Sequence, residues 1–243
     1  MLKRLFDFCA AFFGLFLLAP VLLLFMLLIC LNDFHSPIYL APRVKKNGKN
    51  FSMVKLRSMV VNAAKIGGVT TAGTDNRITW IGRIIRRYKL DELSQLWNVL
   101  IGDMSIVGPR PQSKTGGTDL YSKEELVLLN VRPGITDFAS IVFSDEGEIL
   151  SGHTNPDLGY NQLIRPWKSR LSLFYIYNQS FSLDIRLITI TIIGIFSRPL
   201  ALKKIQNLLK SLNAKESLIE IAGRRLKLEP VPPPGFEEVE NRY

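Results

Sequence analysis

The N-terminal apolar segment constrains this chain more than any other feature of its sequence. From Phe8 to Leu31 the chain runs for 24 residues without a charged side chain. As a straight helix this run measures roughly 36 Å, which is enough to cross a bilayer. A cleaved signal peptide is the alternative, but its apolar core usually has about 7–15 residues and precedes a small-x-small site. Neither property holds here, so the sequence predicts a membrane-embedded helix.

Two observations favour a helix that enters and leaves the membrane on the same side. Pro20 lies near the middle of the run, where it removes a backbone hydrogen bond and clashes with the preceding turn. Lys3 and Arg4 precede the run and a basic block follows it, so the positive-inside rule places both ends on the cytoplasmic face. We therefore predict a re-entrant hairpin broken at Pro20. A kinked single span with a translocated basic flank is the alternative.

The basic block after the apolar run limits the choice of partners. The 243-residue chain has 31 Lys and Arg against 21 Asp and Glu, and residues 41–90 hold twelve of those cations against the single acid Asp75. Such a block favours membrane headgroups, a phosphate-bearing substrate or nucleic acid. Cys9 and Cys30 both lie in the apolar run, and there is no CxxC or Cys/His cluster. This excludes a disulfide framework and a zinc site.

The rest of the chain alternates short strand and helix patterns. Asn47-Gly48 is a tight-turn signal between two apolar runs, so residues 38–57 are predicted to form a β-hairpin. Helical stripes follow over residues 81–88 and 93–100, and Gly102 is suited to end the second helix. Further predicted elements are a mobile loop at 62–74, a short apolar segment at 105–107, a helix at 123–130, a strand at 135–143 and an amphipathic helix at 202–212.

The C-terminal third contains a second apolar region and a polar tail. Asp184 and Arg186 interrupt the region from Leu171 to Phe196, and its uninterrupted part is too short to span a membrane. It is predicted to be either a core element or a helix in the membrane interface. Past Glu229 the chain is rich in proline and acids, which predicts a disordered tail.

The adjacent carboxylates of Asp91 and Glu92 follow a run of cations and open the second helical stripe. A structural role accounts for them, because Asp91 can cap the helix and Glu92 can complement its dipole. Neighbouring helical residues also point only about 100° apart, so both could reach one divalent cation or one phosphoryl group. A carboxylate can attack phosphorus when Mg²⁺ and cations neutralise the phosphate oxygens. From the residues alone, both interpretations stay open.

Six motifs occur in order between residue 2 and about residue 196. They are Lys3-Arg4-Leu5-Phe6-Asp7 with the Pro-interrupted apolar run, Phe51-Ser-Met-Val-Lys55-Leu-Arg57-Ser-Met59, Asp75-Asn-Arg77-Ile-Thr79-Trp-Ile-Gly82-Arg83, Leu90-Asp91-Glu92-Leu93 with the residues up to Ser105, Gly108-Pro109-Arg110-Pro111, and Arg132-Pro133-Gly134-Ile135-Thr136. Together they resemble the bacterial sugar transferase family, the monotopic polyprenyl-phosphate phosphoglycosyl transferases.

The resemblance implies an enzyme of the bacterial inner membrane whose active site faces the cytoplasm. Such an enzyme transfers a sugar-1-phosphate from a UDP-sugar to undecaprenyl phosphate, releases UMP and initiates surface-polysaccharide or glycoconjugate synthesis. The family's Asp-Glu dyad falls on Asp91 and Glu92, which implies that Asp91 forms a covalent phospho-sugar intermediate and that both residues hold Mg²⁺. The implied partners are the UDP-sugar, undecaprenyl phosphate and membrane lipids. Self-association and contacts with downstream glycosyltransferases stay open.

Five cations are candidates for phosphate contacts. Arg86, one turn before the dyad, and Arg110, between two prolines, come first because each is fixed in position. An Arg side chain also grips phosphate with two hydrogen bonds. Lys55, Arg57 and Arg132 come next. For each of them, contact with lipid headgroups or solvent is the alternative.

One departure from the family pattern follows the last motif. The chain has Asp137-Phe-Ala-Ser-Ile where the family commonly has Gly-Trp-Ala-Gln-Val. This predicts a distinct subgroup with a different sugar.

The predicted fold is α+β, with interfacial amphipathic helices and a small sheet on the cytoplasmic membrane face. We divide it into a re-entrant membrane helix (1–36), a catalytic sugar transferase domain (37–197) and a C-terminal amphipathic helix with an acidic tail (198–243). A non-catalytic membrane scaffold with a basic lipid-binding face is the alternative function. A nucleic-acid partner is not expected, because aromatic residues do not interleave with the basic block.

Overall fold

The fold mixes many helices with two small sheets. The computed structural model describes residues 2–66, 75–151 and 153–241. Its helices are α1 (Leu2–Asp33), α2 (Ala63–Ile66), α3 (Trp80–Arg87), α4 (Leu90–Leu93), α5 (Leu96–Ile101), α6 (Phe138–Val142), α7 (Glu146–Ile149), α8 (Pro156–Gly159), α9 (Arg165–Asn178), α10 (Phe181–Phe196), α11 (Arg198–Ser211) and α12 (Glu216–Ala222). Its strands are β1 (Ile38–Val44), β2 (Asn50–Leu56), β3 (Ser105–Val107) and β4 (Gly134–Thr136).

Helix α1 is continuous through Pro20. The structure therefore has one helix where the sequence predicted two arms separated by a break, because the residues on either side of the proline keep helical geometry. Among the described residues, α1 is the one helix long and apolar enough to cross a membrane by length and composition.

The inner face of α1 packs on the protein and its outer face is exposed and apolar. Ala11 packs into a cluster with the β1–β2 sheet and α5, and further along Leu22 and Ile29 pack against Leu56 and α3. On the outer face, large side chains such as Phe16 are about three-quarters exposed. A face of this kind is typical of a helix in contact with lipid.

The β-hairpin predicted at residues 38–57 is confirmed. Strands β1 and β2 pair antiparallel from Ile38 opposite Leu56 to Val44 opposite Asn50. Asn47 and Gly48 at the turn both have a positive φ, as their residue types favour.

The two helical stripes form α3, α4 and α5. Ile81 and Ile85 lie on the buried face of α3. Thr79 caps the first turn of this helix by accepting a hydrogen bond from the Gly82 amide. Gly102 ends α5 in the left-handed conformation with a φ of 91°, as predicted.

Strands β3 and β4 form a parallel pair in which Ser105 lies opposite Gly134. The predicted strand at 135–143 is wrong beyond Thr136, because Asp137 caps a new helix there by accepting a hydrogen bond from the Ser140 amide. The predicted helix at 123–130 is a 3₁₀ helix over Glu125–Asn130.

The C-terminal helices enclose the main core. The second apolar region supplies buried residues such as Leu171 and Leu187, while Ile195 and Phe196 at the end of α10 are exposed. Helix α11 carries the predicted amphipathic stripe and packs into this core through Ile205.

Two loop predictions have different outcomes. The predicted disordered tail is wrong, because the Pro232 carbonyl accepts a hydrogen bond from Arg170 and the Pro234 carbonyl accepts one from Ser122. Within the predicted mobile loop, Ala63–Ile66 is the short helix α2 and residues 67–74 lie outside the described residues.

Candidate active site

Asp91 and Glu92 lie in the first turn of α4. Lys89 joins α3 to α4 in a left-handed conformation with a φ of 53°, so the second helix begins almost directly after the first. Ser94 then donates hydrogen bonds to the Asp91 carbonyl and to the Val54 carbonyl of β2. These contacts hold the dyad against the β-hairpin.

Each carboxylate of the dyad faces its own cation. The Lys55 Nζ lies 3.0 Å from the Asp91 Oδ2, and the Arg110 Nη2 lies 2.9 Å from the Glu92 Oε1. Asp91 is buried, and the Glu92 carboxylate raises the pKa of Arg110 above its usual range. Two residues predicted as phosphate ligands, Lys55 and Arg110, thus lie at the dyad.

Arg86 lies in the last turn of α3, close enough to Asp91 for the two charges to interact. Its Nε donates a 2.9 Å hydrogen bond to Ser58 Oγ. Burial lowers the pKa of Arg86, and the nearby Asp91 carboxylate acts against that fall. The arrangement needs Gly82, because a Cβ there would lie 1.8 Å from the Ser58 carbonyl oxygen. Arg86 therefore interacts with Asp91 through its charge, while its hydrogen bond goes to Ser58.

Among the described residues, neither Arg57 nor Arg132 forms an ion pair with a carboxylate of the dyad. The guanidinium of Arg57 makes two 2.6 Å hydrogen bonds to the Asp33 carboxylate at the end of α1, which lowers the pKa of Asp33 to about 2. Arg132 is exposed, and within the described ranges no ion pair joins it to Asp91 or Glu92. The structure thus places Arg57 at the end of α1, where it holds this helix against the β-hairpin.

The loop that carries Arg110 is fixed from two sides. The Gly108 amide donates to the Thr136 carbonyl, and the Gly134 amide donates to the Pro109 carbonyl. From the side of α1, the buried Asp7 accepts hydrogen bonds from Ser105 Oγ at 2.8 Å and from the Ile106 amide at 3.1 Å. Helix α1 therefore positions the strand that leads into the Arg110 loop.

A cavity that opens to solvent adjoins Arg110. Its wall includes Lys168 and Tyr160, and Lys168 pairs with Glu146. Burial lowers the pKa of Lys168, but Glu146 outweighs this effect and the pKa ends above its usual value. Burial also raises the pKa of Tyr160, which keeps its phenol protonated.

Sequence analysis did not identify this cavity wall. The available signal was a polar stripe at i, i+3, i+4 and i+7 on a largely apolar helix, formed by Arg165, Lys168, Ser169 and Ser172. All four are buried. Such a stripe indicates a polar site rather than solvent exposure.

The dyad fits a magnesium ion that takes its remaining ligands from substrate phosphates and water. Within the described part of the chain, no group of three or more His, Cys, Asp or Glu is placed to hold a metal. Mg²⁺ is often bound through one or two carboxylates together with substrate phosphates and water. Asp91 and Glu92 supply two carboxylates, so they fit an ion that binds together with a diphosphate.

The family comparison agrees with this geometry. A family model described as bacterial sugar transferase matches residues 1–198, which is most of the chain. The chain belongs to the bacterial sugar transferase family. The resemblance predicted from the six motifs is thereby confirmed, and residues 199–243 of this sugar transferase lie beyond the match.

Three curated relatives illustrate the similarity of this sugar transferase to known proteins. The undecaprenyl-phosphate glucose phosphotransferase of Komagataeibacter xylinus is 41% identical over 203 residues, 81% of this chain and 36% of that protein. The UDP-N-acetylgalactosamine-undecaprenyl-phosphate N-acetylgalactosaminephosphotransferase of Aeromonas hydrophila is 37% identical over 144 residues, 58% of this chain and 34% of that protein. The exopolysaccharide production protein PSS of Rhizobium leguminosarum bv. phaseoli is 37% identical over 211 residues, 82% of this chain and 96% of that protein. The chain thus spans about a third of the first two relatives and nearly all of the third.

Proposed function

We propose that this sugar transferase moves a sugar-1-phosphate from a UDP-sugar to undecaprenyl phosphate and releases UMP. One observation carries the proposal: two adjacent carboxylates, each within 3.0 Å of a cation, lie on a domain that carries a long exposed apolar helix. The names of the relatives from Komagataeibacter and Aeromonas, an undecaprenyl-phosphate glucose and an N-acetylgalactosamine phosphotransferase, support the same reaction class.

The reaction proceeds in two displacements. An Asp91 carboxylate oxygen attacks the sugar-bearing phosphorus of the UDP-sugar, a new O–P bond forms, and the bond from that phosphorus to the bridging oxygen breaks. UMP leaves with the bonding electron pair. A phosphate oxygen of undecaprenyl phosphate then attacks the same phosphorus and releases the Asp91 carboxylate. The product is the lipid-linked diphosphate sugar.

Two neighbouring cations orient the groups in these steps. Lys55 holds the Asp91 Oδ2 and so fixes the direction of attack. Arg110 pairs with Glu92 before the donor binds, and its remaining N–H groups are suited to the diphosphate oxygens. Mg²⁺ held by Asp91 and Glu92 would neutralise charge on the diphosphate.

Helix α1 is not interrupted at Pro20, but its contacts support a placement in which both of its ends stay on the cytoplasmic face with the active site. At its start Lys3 contacts Asp184 at 2.5 Å, and at its end Asp33 pairs with Arg57. Both ends therefore touch the same globular body, and the exposed outer face is apolar. A helix that crossed the bilayer fully would carry one end away from this body. Tags before Lys3 and after Lys49 should both report the cytoplasm, and tags on opposite sides would contradict the proposal.

The test of the reaction is UMP release by the protein in nanodiscs. Undecaprenyl phosphate, Mg²⁺ and a panel of UDP-sugars are supplied, and Asp91→Asn and Glu92→Gln are compared with the wild type. Glu148→Gln is the matched control, because Glu148 is exposed and lies outside the dyad. We expect UMP release that requires lipid and Mg²⁺, is abolished in Asp91→Asn and is unchanged in the control. No UMP release by the folded wild type across the panel would favour a non-catalytic scaffold. Equal release by the wild type and both dyad variants would contradict the role assigned to the dyad.

A further inference from the structure

We propose that the cavity beside Arg110 receives the sugar ring of the donor. This inference rests on the proposed function, because it takes Arg110 as a ligand of the donor diphosphate. The cavity has Arg110 in its wall and extends to Tyr121, Ser140, Tyr160 and Lys168. A group joined to a phosphate at Arg110 therefore has a space next to it.

The charges of the cavity wall favour a neutral occupant. Lys168 is paired with Glu146, and Arg165 is paired with the buried Glu125 through an Nη2–Oε2 contact of 2.5 Å. Each of these cations thus has a carboxylate partner. Arg110 also pairs with Glu92, but it lies at the dyad, where the diphosphate binds in our proposal. The deeper wall is therefore suited to an uncharged polar group rather than to a second phosphate.

The serine hydroxyls of the wall favour a ligand rich in hydrogen-bond donors. Ser140 donates to Asp137 at 2.8 Å, Ser172 donates to Asp137 at 2.6 Å, and Ser169 donates to Glu125 at 2.6 Å. Because each hydroxyl proton is used in this way, the oxygen is left to accept. A sugar offers several O–H donors, whereas a uracil base offers a single N–H. The wall therefore matches the sugar better than the base.

Two tyrosine rings in the wall are held by cations. The Lys168 Nζ lies 5.4 Å from the centre of the Tyr160 ring, and the Arg165 guanidinium lies 5.8 Å from that of Tyr121. Tyr160 also accepts a hydrogen bond from Gln112 at 3.0 Å. These contacts fix the rings before the ligand binds, and rigid aromatic walls with a few placed polar groups are typical of small-molecule sites.

Ser140 lines the cavity and belongs to the segment Asp137–Ile141, in which the chain departs from the common family pattern. Burial raises the pKa of the Asp137 carboxyl, and the hydrogen bonds from Ser172 and Ser140 act against that rise. Ser140 itself is only half-buried, and after its replacement by Ala the buried Asp137 carboxylate still accepts hydrogen bonds from the residue 140 amide and the Ser172 hydroxyl. We therefore assign Ser140 as a residue that contacts the sugar.

The test compares binding of UDP-sugars and UDP in the Asp91→Asn background, which prevents transfer. UDP-glucose, UDP-galactose and UDP-N-acetylgalactosamine are titrated in nanodiscs, with UDP as the sugar-free probe. For Ser140→Ala we expect a threefold to tenfold weaker affinity, about the effect of one hydrogen bond, for the best UDP-sugar and no change for UDP. Ser172→Ala should give the same contrast. Ser151→Ala, an exposed serine outside the cavity wall, should change neither affinity.

The outcomes separate this inference from the proposed function. Equal weakening of UDP and UDP-sugar binding would place the nucleoside in the cavity and overturn the inference. Unchanged affinity for both ligands in Ser140→Ala and Ser172→Ala would overturn it as well. Failure of the unsubstituted cavity to bind any UDP-sugar or UDP would instead contradict the proposed function. Melting temperatures of the variants confirm that each comparison is made on folded protein.

Discussion

The anchoring of α1 through Asp7 gives the sharpest prediction about stability. Asp7 is 2% exposed, and its carboxylate accepts hydrogen bonds from Ser105 Oγ and from the Ile106 amide. Asp7→Ala removes both acceptors and leaves the buried Ser105 hydroxyl and the part-buried Ile106 amide without this partner, each at a cost of about 1–3 kcal/mol. The expected loss in the free energy of unfolding is therefore about 2–6 kcal/mol. Asp7→Asn keeps one acceptor oxygen, so its expected loss is about half as large.

Thermal unfolding of the protein in nanodiscs measures this loss. At roughly 2–4 °C per kcal/mol for a chain of this size, Asp7→Ala should lower the melting temperature by at least about 4 °C, and Asp7→Asn should lie between it and the wild type. UMP release should fall in the same order, because Ser105 and Ile106 lead into the Arg110 loop. Glu238→Gln, which removes an exposed carboxylate, is the matched control. An Asp7→Ala variant as stable as this control would refute the reasoning.

Three further predictions address other parts of the molecule. Gly82→Ala places a Cβ 1.8 Å from the Ser58 carbonyl oxygen, so it should lower the free energy of unfolding by about 1–3 kcal/mol and abolish most UMP release. Gly194→Ala is the control: its Cβ would make an ordinary 3.4 Å contact, and it should behave like the wild type in the same two assays. Deletion of residues 230–243 removes the Pro232 and Pro234 contacts to Arg170 and Ser122. Ser122 follows Tyr121 of the cavity wall and Arg170 lies on α9, which supplies Lys168 and Ser172 to that wall, so the deletion should weaken UDP-sugar binding more than it lowers kcat. An unchanged KM would contradict this link between the tail and the cavity. Folding lowers the pKa of Asp33 from 3.8 to about 2, so the stability that its ion pair with Arg57 supplies is complete above pH 4 and is lost as the pH falls through 2. The difference in the free energy of unfolding between wild type and Asp33→Asn should therefore vanish over that interval. A constant difference would show that the ion pair does not account for it.

Local signals in the sequence predicted part of the fold well. The β-hairpin depends on the Asn47-Gly48 turn, and the end of α5 depends on Gly102, and in both cases the residue type itself favours the required backbone conformation. The position of Asp91 and Glu92 after a basic helix drew attention to them, but a structural role stayed open until the family motifs assigned them as the dyad. The prediction of a strand over 135–143 was wrong beyond Thr136, because the Asp137 cap starts a helix despite the β-propensity of the apolar residues that follow.

Contacts between distant residues could not be predicted from these local signals. The cavity wall brings together Arg110, Ser140 and Lys168, which are separated by tens of residues. The tail was predicted to be disordered from its composition, but its ordering comes from carbonyl groups that meet Arg170 and Ser122. The role of Arg57 likewise depends on Asp33, which lies 24 residues earlier and meets it only after α1 packs on the domain.

The central claim is that Asp91 carries the phospho-sugar during transfer, and mass spectrometry of the enzyme tests it most directly. Wild-type protein is mixed with its UDP-sugar and Mg²⁺ without undecaprenyl phosphate, quenched and digested. The account predicts a mass increase of one sugar phosphate on Asp91, which disappears when undecaprenyl phosphate is added and never forms in Asp91→Asn. UMP release with undecaprenyl phosphate present but no adduct on Asp91, or an adduct on a different residue, would contradict it.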